Sequence, residues 1–327
     1  MTRIAIVFTG GTISMQPDLT AGGNRPVLDG AAILALAPRV AEVAEIDVVD
    51  WGLVPASHLR FGQIISIAAT VAAQLARPEV DGAVVVQGTD VIEETAFAYD
   101  LLIDSDKPVA VTGAMRDSSS PDFDGPRNLE DAVRVAASPS IAGSGVCVVM
   151  AGLVLAADQA VKTHSTAMDT FQPREGGPIA RVADDQVRVE SARGPRRHVL
   201  LPEGAQAVDD VYLVTATVGM DGGLLRGLAG GPPRGVVVAA SGSGNTHPDL
   251  LAAATELMES GTVVALTTRC AAGAVDPIYA FPGGGATWQR AGAILSALDG
   301  PKTRVALALA LAAQMSADDI AQLLGEQ

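Results

Sequence analysis

The residues most able to do chemistry fall in four short stretches: Thr9-Gly10-Gly11-Thr12, Gln87-Gly88-Thr89-Asp90, Gly113-Ala114-Met115-Arg116 and the neighbourhood of Lys162. They supply hydroxyls, a carboxylate and an amine beside backbone that glycine leaves open. A neutral hydroxyl is a poor nucleophile and needs a neighbouring base or proton path; a desolvated lysine supplies one and an aspartate orients it. Threonine, lysine and aspartate together therefore make a workable nucleophilic set. Taken singly, each piece has a plainer reading. Thr9 to Thr12 is also a phosphate cradle or a tight turn. Asp90 followed by Glu93 matches a helix capping box, and Lys162 could be a surface lysine, although few charges flank it. No Gly-x-Ser-x-Gly elbow occurs, and His58, His164, His198 and His247 show no paired-ligand spacing, which disfavours a Ser-His-Asp hydrolase and a metallohydrolase. The glycines lack the Gly-x-Gly-x-x-Gly spacing of a dinucleotide site, although Asp47 and Asp50 lie where its acidic residue would fall.

The elements that must position these residues are legible as a pattern. Apolar runs at 4–8, 46–51, 83–87, 109–113 and 146–151 alternate with helical segments at 61–77, 90–103 and 128–137. Residues 61, 64, 65, 68, 71, 72 and 75 form the stripe of one buried helix face. Strands apolar on both faces predict a parallel sheet covered by helices. Such sheets bind ligands beyond the carboxyl ends of their strands, where strand order reverses, and the candidate turns lie at those ends. Residues 191–209 mix Gly and Pro with Arg193, Arg196 and Arg197 and read as a solvated linker. Beyond it come strands near 211–217, 235–240 and 263–267, and helices near 248–259, 288–298, 303–314 and 318–324. The expected organisation is an α/β chain. A parallel-sheet, flavodoxin/Rossmann-like domain spans 1–190, a linker 191–208, and a smaller α/β domain 209–327.

Composition removes other classes. The 327 residues are 48% hydrophobic and 18% charged, too apolar for intrinsic disorder. A net charge of −15 with only 3% aromatic residues argues against nucleic-acid binding, which relies on clustered Lys and Arg and on stacking rings. The opening residues leave no room for a signal-peptide core, and no apolar stretch reaches the roughly 18 residues that span a bilayer. Cys147 and Cys270 form no Cys-x-x-Cys pair, so free thiols and a cytoplasmic location are expected.

Six blocks in order resemble the bacterial-type L-asparaginase (asparaginase/glutaminase) family. Phe8-Thr-Gly-Gly-Thr-Ile13 is similar to its nucleophile signature, and the segment from Val85 through Gly88-Thr89-Asp90 to Thr95 to its second signature. Lys107 to Arg116, Asp124-Gly-Pro-Arg-Asn-Leu129, Val161-Lys-Thr-His and Ser241-Gly-Ser-Gly-Asn245 follow. The resemblance covers nearly the whole chain.

It implies hydrolysis of L-asparagine to L-aspartate and ammonia through a covalent acyl-enzyme, with neither cofactor nor metal. Thr12 would be the nucleophile on a mobile loop, and Thr89, Asp90 and Lys162 the second triad. Backbone N–H groups of Thr12 and Thr89 would form the oxyanion hole. Ser57 and Asp90 would hold the amino acid's α-carboxylate and α-ammonium. His58 and Gly88 would line the site, and the Ala114 carbonyl would face the leaving amide. A homodimer or homotetramer with shared sites is implied, Asn245 coming from the neighbour; otherwise Asn245 or Thr246 would cap the helix that follows. The resemblance implies a tyrosine in 13–30 and a neighbour's glutamate in 269–285 as the nucleophile-activating pair, and this sequence has neither; Gln87 stands where His is usual, and His58 where Gln is common. Tyr279 is expected to replace one missing polar group. These departures leave open an amidase of altered specificity, acting on glutamine, a D-amino acid amide or a peptide-borne amide. A non-catalytic amino-acid sensor is a third reading.

Overall fold

A computed structural model describes residues 2–18, 20 and 22–325. The chain divides into two compact units, residues 1–198 and 199–327.

In the first unit β1 (Arg3–Phe8) is followed by a hairpin of β2 (Met15–Asp18) and β3 (Gly23–Pro26), then by α1 (Gly30–Leu36), α2 (Val40–Val43) and β4 (Glu45–Asp50). Next come α3 (Phe61–Leu75), β5 (Gly82–Val86), α4 (Ile92–Leu102), β6 (Val109–Thr112), α5 (Gly125–Ala136) and β7 (Val146–Met150). The unit closes with β8 (Leu153–Ala156), β9 (Ala160–Lys162), β10 (Phe171–Pro173), β11 (Ala180–Ala183) and β12 (Gln186–Val189). The main sheet runs β12-β11-β8-β7-β6-β5-β1-β4. Strands β4, β1, β5, β6 and β7 are parallel, and the remaining three extend the sheet antiparallel. Counted along the chain, the five parallel strands lie in the order 2-1-3-4-5, so the switch point falls between β1 and β5.

The local reasons are those of the sequence, with corrections. Strands β5, β6 and β7 are buried at every residue, as continuous Val and Ala runs require. Helix α3 buries Phe61, Ile64, Ile67, Ala68, Val71 and Leu75 and ends shortly before Pro78. The apolar text after Val146 forms two strands, because positive φ angles at Ala151 (48°) and Gly152 (77°) turn the chain back on itself. Arg193 and Arg196 are not solvated. Asp100 is buried on α4, and Arg193 grips its carboxylate with Nη1 at 2.9 Å and Nη2 at 2.6 Å, while Arg196 Nε lies 3.3 Å away. A buried carboxylate needs such countercharge.

The second unit holds β13 (Val211–Thr215), α6 (Gly223–Arg226), β14 (Gly235–Ala240), α7 (Pro248–Glu259) and β15 (Val263–Thr268). It ends with α8 (Gly285–Arg290), β16 (Ile294–Leu295), α9 (Gly300–Ala312) and α10 (Ala317–Leu324). Its four strands are parallel, in the order β13-β14-β15-β16. Val236, Val238, Leu250, Leu257, Leu266 and Trp288 form its core. The helix expected over 288–298 stops at Arg290, because Gly292 takes φ 101° and releases the chain into β16. Among the described residues no helix is long and apolar enough to cross a membrane.

Candidate active site

The turns that follow β1, β4, β5 and β6 meet at the switch point. Gly11 has φ 96°, and a Cβ placed on it would fall 2.1 Å from the Gly88 nitrogen, so only glycine lets the Thr12 turn approach the Thr89 turn this closely. A Cβ on Gly88 would lie 2.8 Å from that of Ala56, which places residues 56–58 against the same point; Ser57 and His58 there are exposed. A Cβ on Gly113 would meet the Gln87 carbonyl at 2.4 Å and Thr89 Cγ2 at 3.1 Å. Thr12, Ser57, His58, Gly88, Thr89, Asp90 and Ala114 are thus carried by four adjoining turns.

Thr12 opens a single 3-10 turn, Thr12–Ser14. Ser14 Oγ donates to the Gly11 carbonyl at 2.7 Å and the Ser14 carbonyl accepts from Val27 and Leu28, tying the turn to the chain leaving β3. Lys162 arrives from β9. Its Nζ donates to Thr89 Oγ1 at 3.0 Å and to Asp90 Oδ1 at 3.0 Å. The lysine side chain is only 13% exposed whereas that of Asp90 is 70% exposed, so Asp90 can meet the amine and a ligand together. The capping-box reading fails here. Val91 precedes α4 without a side-chain cap, and the carboxylates of Asp90 and Glu93 both reach Lys162, Glu93 Oε2 accepting its backbone N–H at 2.7 Å.

Beneath the site, Gln87 is fully buried and occupied by α4: its Nε2 donates to Thr95 Oγ1 at 2.6 Å, and Tyr99 Oη donates to its Oε1 at 3.1 Å. The turn carrying Ala114 is held by Asp124 and Asn128. Asp124 Oδ1 accepts from Met115 N at 3.0 Å and Arg116 N at 2.9 Å, and Asn128 Nδ2 donates to the Gly113 carbonyl at 3.1 Å. Burial pushes the Cys147 thiol up to about 12, so it stays protonated and inert. Among the described residues no three His, Cys, Asp or Glu side chains gather as a metal site.

Asn245 and Tyr279 belong to the second unit. Neither Asn245 nor Thr246 caps α7: His247 does, its Nδ1 accepting from Asp249 N at 3.3 Å. Asn245 Oδ1 is instead buried without a hydrogen-bond partner among the described residues. It borders a cavity of about 240 Å³ lined also by Thr217, Met220, Ser241 and Arg269. Tyr279 is exposed, its ring centroid 5.6 Å from that of Phe281. The contributions of Glu93, Asp124 and Asn128 are not readable from residue type; only their presence in the blocks that resemble the family marks them.

A doubly wound sheet with hydroxyls, an amine and a carboxylate at its switch point is an arrangement common to α/β enzymes, and the turns carry the candidate active site. Comparison with known proteins narrows the class. Residues 3–194 match the family model of the asparaginase N-terminal domain and residues 210–324 that of the glutaminase/asparaginase C-terminal domain. The chain is 35% identical to a probable L-asparaginase of Deinococcus radiodurans, covering 98% of this chain and 96% of that one. It is 28% identical to an L-asparaginase of Bacillus licheniformis, over 95% of each chain. A solved structure of a probable cytoplasmic L-asparaginase from Campylobacter jejuni superposes with a TM-score of 0.88 at 28% identity, over 99% of both chains. The chain belongs to the asparaginase family, amidohydrolases that act on linear amide C–N bonds.

Proposed function

We propose that the protein hydrolyses L-asparagine to L-aspartate and ammonia through an acyl-enzyme on Thr12. The observation that carries this reading is the reach of Lys162 Nζ to both Thr89 Oγ1 and Asp90 Oδ1 at 3.0 Å, beside the turn that bears Thr12. Ser57 and the exposed Asp90 bind the α-carboxylate and α-ammonium, with His58 and Gly88 lining the site. Thr12 Oγ1 forms a bond to the carboxamide carbon while backbone N–H groups of Thr12 and Thr89 stabilise the developing oxyanion. The C–N bond breaks, and the threonine proton leaves on the amide nitrogen as ammonia past the Ala114 carbonyl. Water then attacks the ester through the Thr89–Lys162 pair, releases aspartate and returns a proton to Thr12. The names of the D. radiodurans and B. licheniformis relatives support this substrate, and the C. jejuni relative's name a cytoplasmic location. A second copy, in a homodimer or homotetramer, contributes Asn245 and Tyr279; the buried, unpartnered Asn245 Oδ1 suits a donor brought to it by assembly or substrate.

Altered specificity is favoured by one feature, the absence of tyrosine from 13–30 and of glutamate from 269–285. Ammonia release from asparagine, glutamine and their D-forms decides between the two. Asparagine should give the highest kcat/KM, and Thr12→Ala should lower it roughly 10³-fold or more. A folded protein that releases no ammonia from any of them would overturn the reading.

A further inference from the structure

We infer that Glu93 is a positioning residue that sets the lysine of the site, an assignment that rests on the proposed amide hydrolysis for its kinetic readout. Lys162 is the last residue of β9, a three-residue strand that, among the described residues, pairs with β10 alone in a sheet of two. So short a strand holds its terminal residue weakly. The next amide, Thr163 N–H, donates to the Thr170 carbonyl at 2.8 Å, so the Lys162 N–H points to the opposite edge. There Glu93 Oε2 receives it at 2.7 Å, a charge-assisted hydrogen bond.

The chain around 89–93 thus touches one lysine at three places. Thr89 and Asp90, in the 3-10 turn Thr89–Val91, take the side-chain ammonium, and Glu93, three residues beyond Asp90 in the first turn of α4, takes the main chain. The two side-chain contacts alone leave the lysine free to pivot about its long stem. Anchoring its backbone to α4 fixes where that stem begins, so the distance from Nζ to Thr89 Oγ1 is set by a single helix start. The spacing that resembles a capping box in the sequence is used to grip Lys162.

Glu93→Gln keeps an acceptor oxygen at the same reach, whereas Glu93→Ala removes it. The alanine variant should lower kcat on asparagine about 10- to 100-fold, the cost of roughly 1 Å of misplacement, with KM within about threefold of wild type. Exchange of the Lys162 amide with solvent deuterium should speed up at least about tenfold. The glutamine variant should stay near wild type in both. Glu93→Asp, one methylene shorter, reads the same contact if the alanine variant does not fold. Wild-type kcat in Glu93→Ala, or Lys162 exchange no faster in it than in Glu93→Gln, overturns the assignment. If the wild-type protein hydrolyses no amide, the proposed function has failed by itself, and Lys162 exchange still decides the role of Glu93.

Discussion

At the scale of single residues, reactivity here depends on close backbone approach as much as on functional groups. The Thr12 turn can approach the Thr89 turn only because residues 11 and 88 lack side chains, and the proposed reaction of Thr12 on a substrate held by Asp90 depends on that approach. Gly11→Ala would place a methyl 2.1 Å from the Gly88 nitrogen and strain a backbone at φ 96°. The expected outcome is a protein that still folds, as judged by far-UV circular dichroism, with kcat/KM at least about 100-fold down from displacement of the Thr12 turn. Near-wild-type turnover would contradict the proposed geometry. Thr12, Thr89, Asp90 and Lys162 could be picked out in the sequence because hydroxyls, an acid and a lysine beside glycine after apolar runs are an unusual collection. Glu93 could not, because three-residue spacing from Asp90 serves a helix cap and a lysine grip equally well. Asn245 was open to misreading for a similar reason, since His247, with no special cap propensity, took the capping role.

At the scale of elements, two ionic clusters anchor the first unit and act differently. Asp100 of α4, Arg193 and Arg196 are well paired, and Asp158 joins them 2.8 Å from Arg193 Nη2, four residues before Lys162. That cluster ties the end of the first unit to the helix that begins at the site. The other surrounds Asp131 of α5, with Arg127, Arg134 and Glu130 on the same helix and Arg39 and Asp185 nearby. Burial outweighs the pull of Arg127 and pushes the Asp131 carboxyl up to about 6. A rise from the ordinary 3.8 to about 6 corresponds to about 3 kcal/mol. The folded chain then binds more protons than the unfolded chain between about pH 4 and 6, so this residue's contribution to stability improves as pH falls through that window. Asp131→Asn should accordingly unfold at higher temperature than wild type at pH 8, and the gap should narrow to roughly half by pH 5 and close near pH 4. A gap independent of pH would contradict the assignment. The sequence exposed the parallel strands because their burial makes them continuous apolar runs. It hid the reversal at Ala151 and the strand after Gly292, where one or two left-handed residues redirect an otherwise helical or extended text. The arginines near 193 look solvated in the sequence because their partner, Asp100, is remote from them along the chain.

At the scale of the whole molecule, the net charge of −15 speaks to solubility, while the proposed selection of a zwitterionic substrate falls to local groups. The two-part organisation matters more. The first unit carries the Thr12 turn and the Thr89–Asp90–Lys162 cluster, and the second presents Asn245 beside its own cavity. Family membership followed from blocks spread over the full chain, which no single motif could have supported. In the family that the sequence resembles, the missing tyrosine and glutamate would activate the nucleophile, so their absence bears on what activates Thr12 as well as on specificity, while the proposed order of bond making still begins on Thr12. That order is the central claim. Rapid acid quenching of enzyme turning over asparagine, followed by peptide mass spectrometry, tests it most directly. The account predicts an aspartyl group esterified to the peptide that carries Thr12, absent from Thr12→Ala; an adduct on the Thr89 peptide instead would contradict it.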